Sequence, residues 1–534
     1  MSVINVSACE HERCRQARVR LSGPALASVL AASCSIVLSS GALAAPIKIN
    51  GVFSEHMVVQ SGQPLVVYGT ATPGEPIGVK LAEKKAVAIT NDKGDWSATL
   101  EAVPAGGPYE LQVVGAQEKI VITDVMAGEV WLCSGQSNML MSLKQAGLES
   151  KREAISTGDS SIRLLKVGFG LAKTPQRKLD AKWVVLDREN AANCAAIPFV
   201  FATELRKKLN TPVGIIVSAS DGARCDSWIS TAGLSKMPEG RSKLAGFEEQ
   251  YDTFMAYREQ KIINQGEKIN DVESWDREAN AIFNHGLNAV PAPPGAALYN
   301  AMIAPLVPYT IRGVLWYQGE INITRPDTYE KYFTTLMHDW RRKWKKPHLP
   351  FLFVQLPPVG ERLDMPASVS KAARLRDAQT KASLLPYTFM VSAVDTINKS
   401  PADWHGSDKQ LIGKRLAQMA LATQYKKPGP FKGPSMESVT LEGSKVRVHF
   451  RNATHGLTVK GDVLKGFAIA GEDKKLIWAS SQIDGDSVLV WSNHVPKPSL
   501  VTYAWADNPD GNLYNGDDLP AVPFRSQVTH GNTP

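Results

Sequence analysis

Residues 128–139 read Gly128-Glu-Val-Trp-Leu-Cys-Ser-Gly-Gln-Ser-Asn-Met139. The apolar run in this stretch is too short for a helix and ends abruptly in small and polar residues. It predicts a buried strand over Glu129–Cys133, with Ser137 just past its end. Open α/β sheets build their sites at that carboxyl edge. A serine hydroxyl presented there becomes a nucleophile once a histidine is brought to it.

Working outward, similar runs recur at Val213–Val217, Gly313–Tyr317, Pro350–Leu356 and Thr388–Val394. Most are continuously apolar, as strands buried on both faces should be. Between them Phe201, Leu205 and Leu209 recur at helical spacing, as do Tyr329, Tyr332, Phe333, Leu336 and Trp340. The alternation predicts an α/β domain over residues 125–425, a parallel sheet with helices on both faces. Residues 231–295 are polar and charge-rich and read as a helical insertion over that domain. Short alternating runs broken by Gly and Pro predict a β domain over residues 45–124. A second is predicted over residues 426–534.

The first 44 residues differ. Four arginines precede the apolar stretch from Pro24 to Leu38, and Ala42-Leu43-Ala44 follows. This is the layout of a secretory signal cleaved after Ala44, and it predicts an exported, periplasmic or extracellular protein. The leader holds four arginines and two glutamates, so of the formal charge of +8 the mature chain keeps +6. That mild tilt predicts no nucleic-acid partner. The dense cluster Arg341-Arg342-Lys343-Trp344-Lys345-Lys346 reads as a solvated helix end. No later stretch reaches the roughly 18 apolar residues of a membrane span. Three cysteines remain after cleavage, Cys133, Cys194 and Cys225, so at least one thiol is free. None has metal-ligand spacing, and no metal is predicted.

A base for Ser137 is found far along the chain, in Asp403-Trp-His-Gly-Ser-Asp-Lys409. Ser407 and Gln410 fit a capping box, which sets His405 just before a helix. The positive end of that helix keeps the imidazole neutral and able to accept a proton. Asp403 is placed to balance the charge when the proton arrives. Acyl transfer also needs donors for a developing oxyanion. Asn322, Gly222 and the N–H of Ser137 itself are the candidates. Glu320 and Gln318, at the end of the Gly313–Tyr317 strand, are candidate loop braces, and Glu320 is a second candidate for the acid partner of His405.

With these residues assembled, the chain resembles the sialate O-acetylesterase family, a branch of the SGNH hydrolases, from about Phe53 to Arg525. The Gly128–Met139 stretch is similar to that family's nucleophile block. Tyr299-Asn300 through Leu306 with Trp316-Tyr-Gln-Gly-Glu320 is similar to its third block, and Asp403-Trp-His405 with Asp408-Lys409 to its last. Its tail is matched by Tyr503-Ala-Trp-Ala-Asp-Asn-Pro509. The resemblance implies an SGNH-type sheet, Ser137 as nucleophile, Asn322 as oxyanion donor and an acid–histidine pair at Asp403 and His405. It implies hydrolysis of O-acetyl groups from a sugar, 9-O-acetyl sialic acid in particular, with no cofactor. Where the family has a Trp-Gly-Gly-Thr-like run, this chain has Ser220-Asp-Gly-Ala-Arg-Cys225, and only Gly222 carries over. Two other readings stand beside it: acetylesterase action on xylan or another polysaccharide, and a non-catalytic carbohydrate-binding surface protein.

Overall fold

The computed structural model describes residues 45–154, 160–266, 291–396, 403–406 and 408–528. The predicted signal over residues 1–44 lies outside the described residues, as does Ser407.

One strand organises the molecule. Lys119–Gly135 runs for 17 residues, and its burial changes character along its length. Up to Met126 exposed and buried residues are mixed. From Ala127 onward every residue is buried. The first part pairs antiparallel with Gly106–Val114 in the amino-terminal β layer, which has one wet face. The second part lies at the middle of a parallel sheet covered on both sides. The division expected between residues 124 and 125 therefore falls inside a single strand.

Across the central sheet the order is Trp183–Val185, Ile162–Lys166, Val213–Ala219, Lys119–Gly135, Gly313–Tyr317, Phe351–Gln355, Thr388–Ser392. All neighbours are parallel except the Trp183–Val185 edge, which is antiparallel. Two tryptophans show how the faces are covered. Trp131 lies edge-on to Phe201 of the Ala196–Leu209 helix, 5.1 Å between centroids. Trp316, on the opposite face, stacks on Phe333 at 5.8 Å and meets Trp340 at 6.0 Å, both on the Tyr329–Lys343 helix. The Lys409–Gln424 helix packs closely on Ala196–Leu209, where a Cβ on Gly413 would stand 2.7 Å from Val200 Cβ.

Residues 231–265 form three helices, Thr231–Leu234, Pro238–Ala245 and Phe247–Gln265. The carboxyl-terminal region holds two four-stranded antiparallel sheets with a core of its own, including Val446, Val448, Phe467, Val488 and Phe524. It is tied to the central domain by polar contacts. Arg376, fully buried, donates to the carbonyls of Ala506 and Asp507 at 2.8 and 2.9 Å. Tyr514 donates to Asp395 Oδ2 at 3.1 Å, and Asp395 pairs with Arg415 at 2.7 Å.

The basic cluster after Tyr329–Lys343 is not wholly solvated. Arg341 is buried and donates to the carbonyls of Leu349, Pro386 and Tyr387. A guanidinium with five donors is the side chain that can satisfy several carbonyls at once. Burial, with Arg312 nearby, pulls the Lys346 ammonium down to about 8.

Gly135 closes the Lys119–Gly135 strand with φ +136°, and an added Cβ would sit 2.0 Å from the carbonyl oxygen of Tyr317. Backbone strain and overpacking each cost roughly 1–3 kcal/mol. Gly135→Ala should therefore destabilise the protein by about 3 kcal/mol or more in denaturant titration. A variant within 0.5 kcal/mol of wild type, an order of magnitude usual for neutral surface changes, would show that the neighbouring strand yields.

Candidate active site

Register brings the site together. Gly135 pairs with Ala219 on one side and with Tyr317 on the other. Ser137, Gly222 and Asn322 leave those three adjacent strand ends two, three and five residues later. The ends are joined by Gln136, whose N–H donates to Tyr317 O at 3.0 Å and whose Oε1 accepts from the N–H of Gly319 at 3.3 Å.

Ser137 opens the short helix Ser137–Leu140, so its own N–H has no acceptor within that helix. Its Oγ lies 2.6 Å from His405 Nε2, and both residues are buried. The histidine comes from a turn just before Lys409–Gln424. Asp408 caps that helix, its side chain accepting from the N–H of Leu411 at 3.2 Å. The cap is thus one residue later than the expected Ser407, because a carboxylate at Asp408 reaches a free N–H of the first turn.

Asn138 and Lys409 hold the constellation, and sequence reading gave neither a role. Asn138 Nδ2 donates to Glu320 Oε1 and, at 3.0 Å, to the carbonyl of Trp404. Its Oδ1 accepts from Lys409 Nζ. Lys409 is buried and also donates to the carbonyls of His405 and Gly406 at 3.2 and 2.8 Å. One amide and one ammonium thereby lock the Ser137 turn, the Glu320 turn and the His405 turn together. The signal available in the sequence was their position inside the two blocks that carry Ser137 and His405.

The two candidate acids differ in placement. Asp403 Oδ1 accepts the backbone N–H of His405 at 2.9 Å. Glu320 is buried, bound through Oε1 to Asn138, while among the described residues its Oε2 has no hydrogen-bond partner. Burial pushes the Glu320 carboxyl above its ordinary range. Hydrogen bonds from the backbone and Asn138, and the nearby His405 and Lys409, offset this only in part. Both carboxylates act on Tyr317, whose hydroxyl burial first, then Glu320 and Asp403, hold far above its usual value.

Asn322 has its amide orientation fixed. Its Oδ1 accepts from the N–H of Cys225 at 3.2 Å and from Gln318 Nε2 at 2.8 Å. A backbone N–H can only donate, so the oxygen must face it and the amide NH2 faces away. Gln318 is held in turn by the carbonyl of Ala223 at 3.1 Å and by Tyr329, which donates to its carbonyl at 2.8 Å. Gly222 sits in the turn after Val213–Ala219 with φ +60°, a left-handed conformation that suits glycine. The three cysteines among the described residues are buried free thiols, and burial pushes all three up, Cys194 to about 12, which keeps them protonated and poor nucleophiles. Among the described residues no group of three His, Cys, Asp or Glu side chains converges, and no helix is long and apolar enough to cross a membrane.

The family described as carbohydrate esterase, sialic acid-specific acetylesterase, matches residues 263–422. The sialate O-acetylesterase of Rattus norvegicus is 28% identical over 526 residues, 89% of this chain and 93% of the rat protein. That of Homo sapiens is 29% identical over 420 residues, 71% of each chain. Among solved structures, a carbohydrate acetylesterase from Xanthomonas citri superposes with a TM-score of 0.74 at 31% identity. It covers 90% of this chain and 99% of its own.

Proposed function

This chain belongs to the sialic acid-specific acetylesterase family of carbohydrate esterases, and from that premise we propose that it hydrolyses O-acetyl esters of sialic acid, the 9-O-acetyl ester foremost. The observation that carries the reading is Ser137 Oγ at 2.6 Å from His405 Nε2, buried at the carboxyl edge of the sheet. The fold is read as an SGNH-type hydrolase domain between two β regions. The export signal at residues 1–44 belongs to the same reading, and sequencing the protein recovered outside the cytoplasm should start at Ala45. A cytosolic protein that keeps those residues would end that part of it.

In the proposed mechanism Ser137 Oγ attacks the acetyl carbonyl carbon while His405 Nε2 takes its proton. The tetrahedral intermediate collapses, the bond to the sugar oxygen breaks, and His405 returns the proton to that oxygen. Water then gives a proton to His405 and attacks the acetyl–serine ester, releasing acetate and restoring the hydroxyl. Negative charge on the carbonyl oxygen in both halves is met by the N–H of Ser137, the N–H of Gly222 and the NH2 of Asn322. The hydrogen bonds that fix the Asn322 oxygen support its part, since they leave its donors for the substrate. Asp403 is the proposed partner of His405, with Glu320 and Gln318 as braces.

Asn322→Asp keeps an acceptor for Cys225 and Gln318 but replaces the donor edge with an anionic oxygen. It should lower kcat by about 10²–10³-fold, the usual cost of one oxyanion donor. A folded variant within a few-fold of wild type removes Asn322 from the mechanism.

Acetate release tests the function as a whole. Purified protein should release acetate from 9-O-acetyl-N-acetylneuraminic acid with a higher kcat/KM than from acetylated xylo-oligosaccharides. The reverse order would make it a polysaccharide acetylesterase. No turnover of either, or of a simple acetyl ester, would leave a binding protein.

A further inference from the structure

A cavity of about 780 Å³ opens beside Asn322, within the roughly 300–1,000 Å³ range of small-molecule sites. Its charged lining is Arg224, Asp226, Glu239, Lys243, Glu249 and Arg325. Two of the three acids are already neutralised. Asp226 is buried, with Lys243 Nζ 2.9 Å from its Oδ2, and although burial pushes its carboxyl up, Arg224 and Lys243 hold it below the ordinary range. Glu239 takes Lys331 Nζ on both oxygens, at 2.9 and 2.8 Å.

The two arginines keep donors to spare. Arg224 shares Asp226 with Lys243, its Nε 3.6 Å from Asp226 Oδ1, a distance too long for a hydrogen bond, and among the described residues that buried Nε has no hydrogen-bond partner. Among the described residues no side chain pairs with the Arg325 guanidinium. An unsatisfied buried donor is costly and uncommon, and a ligand that accepts from it recovers the cost.

Both arginines are tied by the main chain to the amide beside them. Arg325 N–H donates to the carbonyl of Asn322 at 2.9 Å. Arg224 precedes Cys225, whose N–H holds Asn322 Oδ1 at 3.2 Å. Both side chains therefore spring from main chain held beside Asn322. Planar forks of N–H donors match a carboxylate better than any neutral hydroxyl.

We propose that Arg224 and Arg325 form a carboxylate subsite that receives the acid group of the sugar, so that the site selects an anionic sugar over a neutral one. This rests on the esterase reading above and adds to it the residues that distinguish sialic acid from xylan. The three cations and three acids of the lining cancel, and Lys331 on Glu239, outside the lining, tips the surroundings positive, with Glu249 exposed on the first turn of Phe247–Gln265.

The test compares 9-O-acetyl-N-acetylneuraminic acid with its C1 methyl ester, which keeps the scissile acetyl group and removes the negative charge. Full-length wild type should favour the free acid in kcat/KM by about ten- to a hundred-fold, the range of a hydrogen-bonded charge pair. Arg224→Gln with Arg325→Gln should bring that ratio close to one, mostly through KM. Arg224→Lys should recover part of it. Arg325→Gln alone, at an exposed position, covers the case in which the double variant does not fold. Equal efficiency of wild type on acid and methyl ester overturns the subsite while the sialate reading stands. So does a folded variant that loses both substrates in parallel, since that is the mark of a structural role. Turnover of acetylated xylo-oligosaccharide with none of either sialate overturns the sialate reading, and the subsite with it.

Discussion

Ser137→Ala should give a folded protein whose kcat on any acetyl ester is lower by about 10⁴-fold or more. Nucleophile and base act as a unit, so removing either leaves only what the oxyanion donors and binding supply. The change deletes one oxygen from a buried turn. The ties that hold that turn, from Asn138 to Glu320, Trp404 and Lys409, do not involve the Ser137 side chain. Thermal melts should therefore match wild type. Mass spectrometry of wild type quenched during turnover should find one added acetyl group on Ser137, and none in the variant. Near-normal turnover by a folded Ser137→Ala protein would rule out the covalent mechanism.

The second large effect is expected at Asp403, and its contrast with Glu320 is the informative part. Asp403→Asn keeps an oxygen to accept the backbone N–H of His405, which the carboxylate holds at 2.9 Å. It removes the negative charge that would balance an imidazolium. If Asp403 is the acid partner, kcat should drop by about 10⁴-fold, the scale of such a change in a serine triad. Glu320→Gln should cost less, because an amide oxygen still accepts from Asn138.

Glu320→Gln also has a stability signature of definite sign. The folded pKa of Glu320 is raised, so the protein binds that proton more tightly folded than unfolded. The stability this contributes is fully present below the ordinary glutamate value, about 4.3. It is lost as pH rises through the elevated folded value. Relative to wild type, the glutamine variant should thus gain in melting temperature as pH rises above about 4.3. A flat difference would mean that Glu320 titrates as an ordinary carboxyl. A dead Glu320→Gln beside a nearly normal Asp403→Asn would transfer the acid role to Glu320, leaving Ser137 and His405 in place.

The parts of the site legible in sequence are those announced by a local change of character. Ser137 follows an apolar run that stops within three residues, and His405 precedes a periodic helix. What was not legible depends on partners far away. Asn138 and Lys409 are 271 residues apart, and nothing near either says that they will meet. The Ile162–Lys166 strand is not legible in the sequence because Arg163 interrupts its apolar run. That arginine is buried all the same, with Nη2 2.8 Å from Asp124 Oδ1 and Nε on the carbonyl of Ser160. A charge satisfied by a distant carboxylate reads locally as a loop. The same blindness hid Arg341, whose acceptors include Pro386 and Tyr387, more than forty residues on.

The Lys119–Gly135 strand gives the amino-terminal β layer a status that ancillary domains seldom have. Such domains are usually attached through a flexible, exposed linker and can be cut away or exchanged. Here the attachment is the strand that leads into Ser137, paired on its outer half with Gly106–Val114 and with Val58–Gln60. Any excision of the layer would strip main-chain partners from the segment that delivers Ser137. The two regions therefore share one cooperative fate, melting together rather than in sequence.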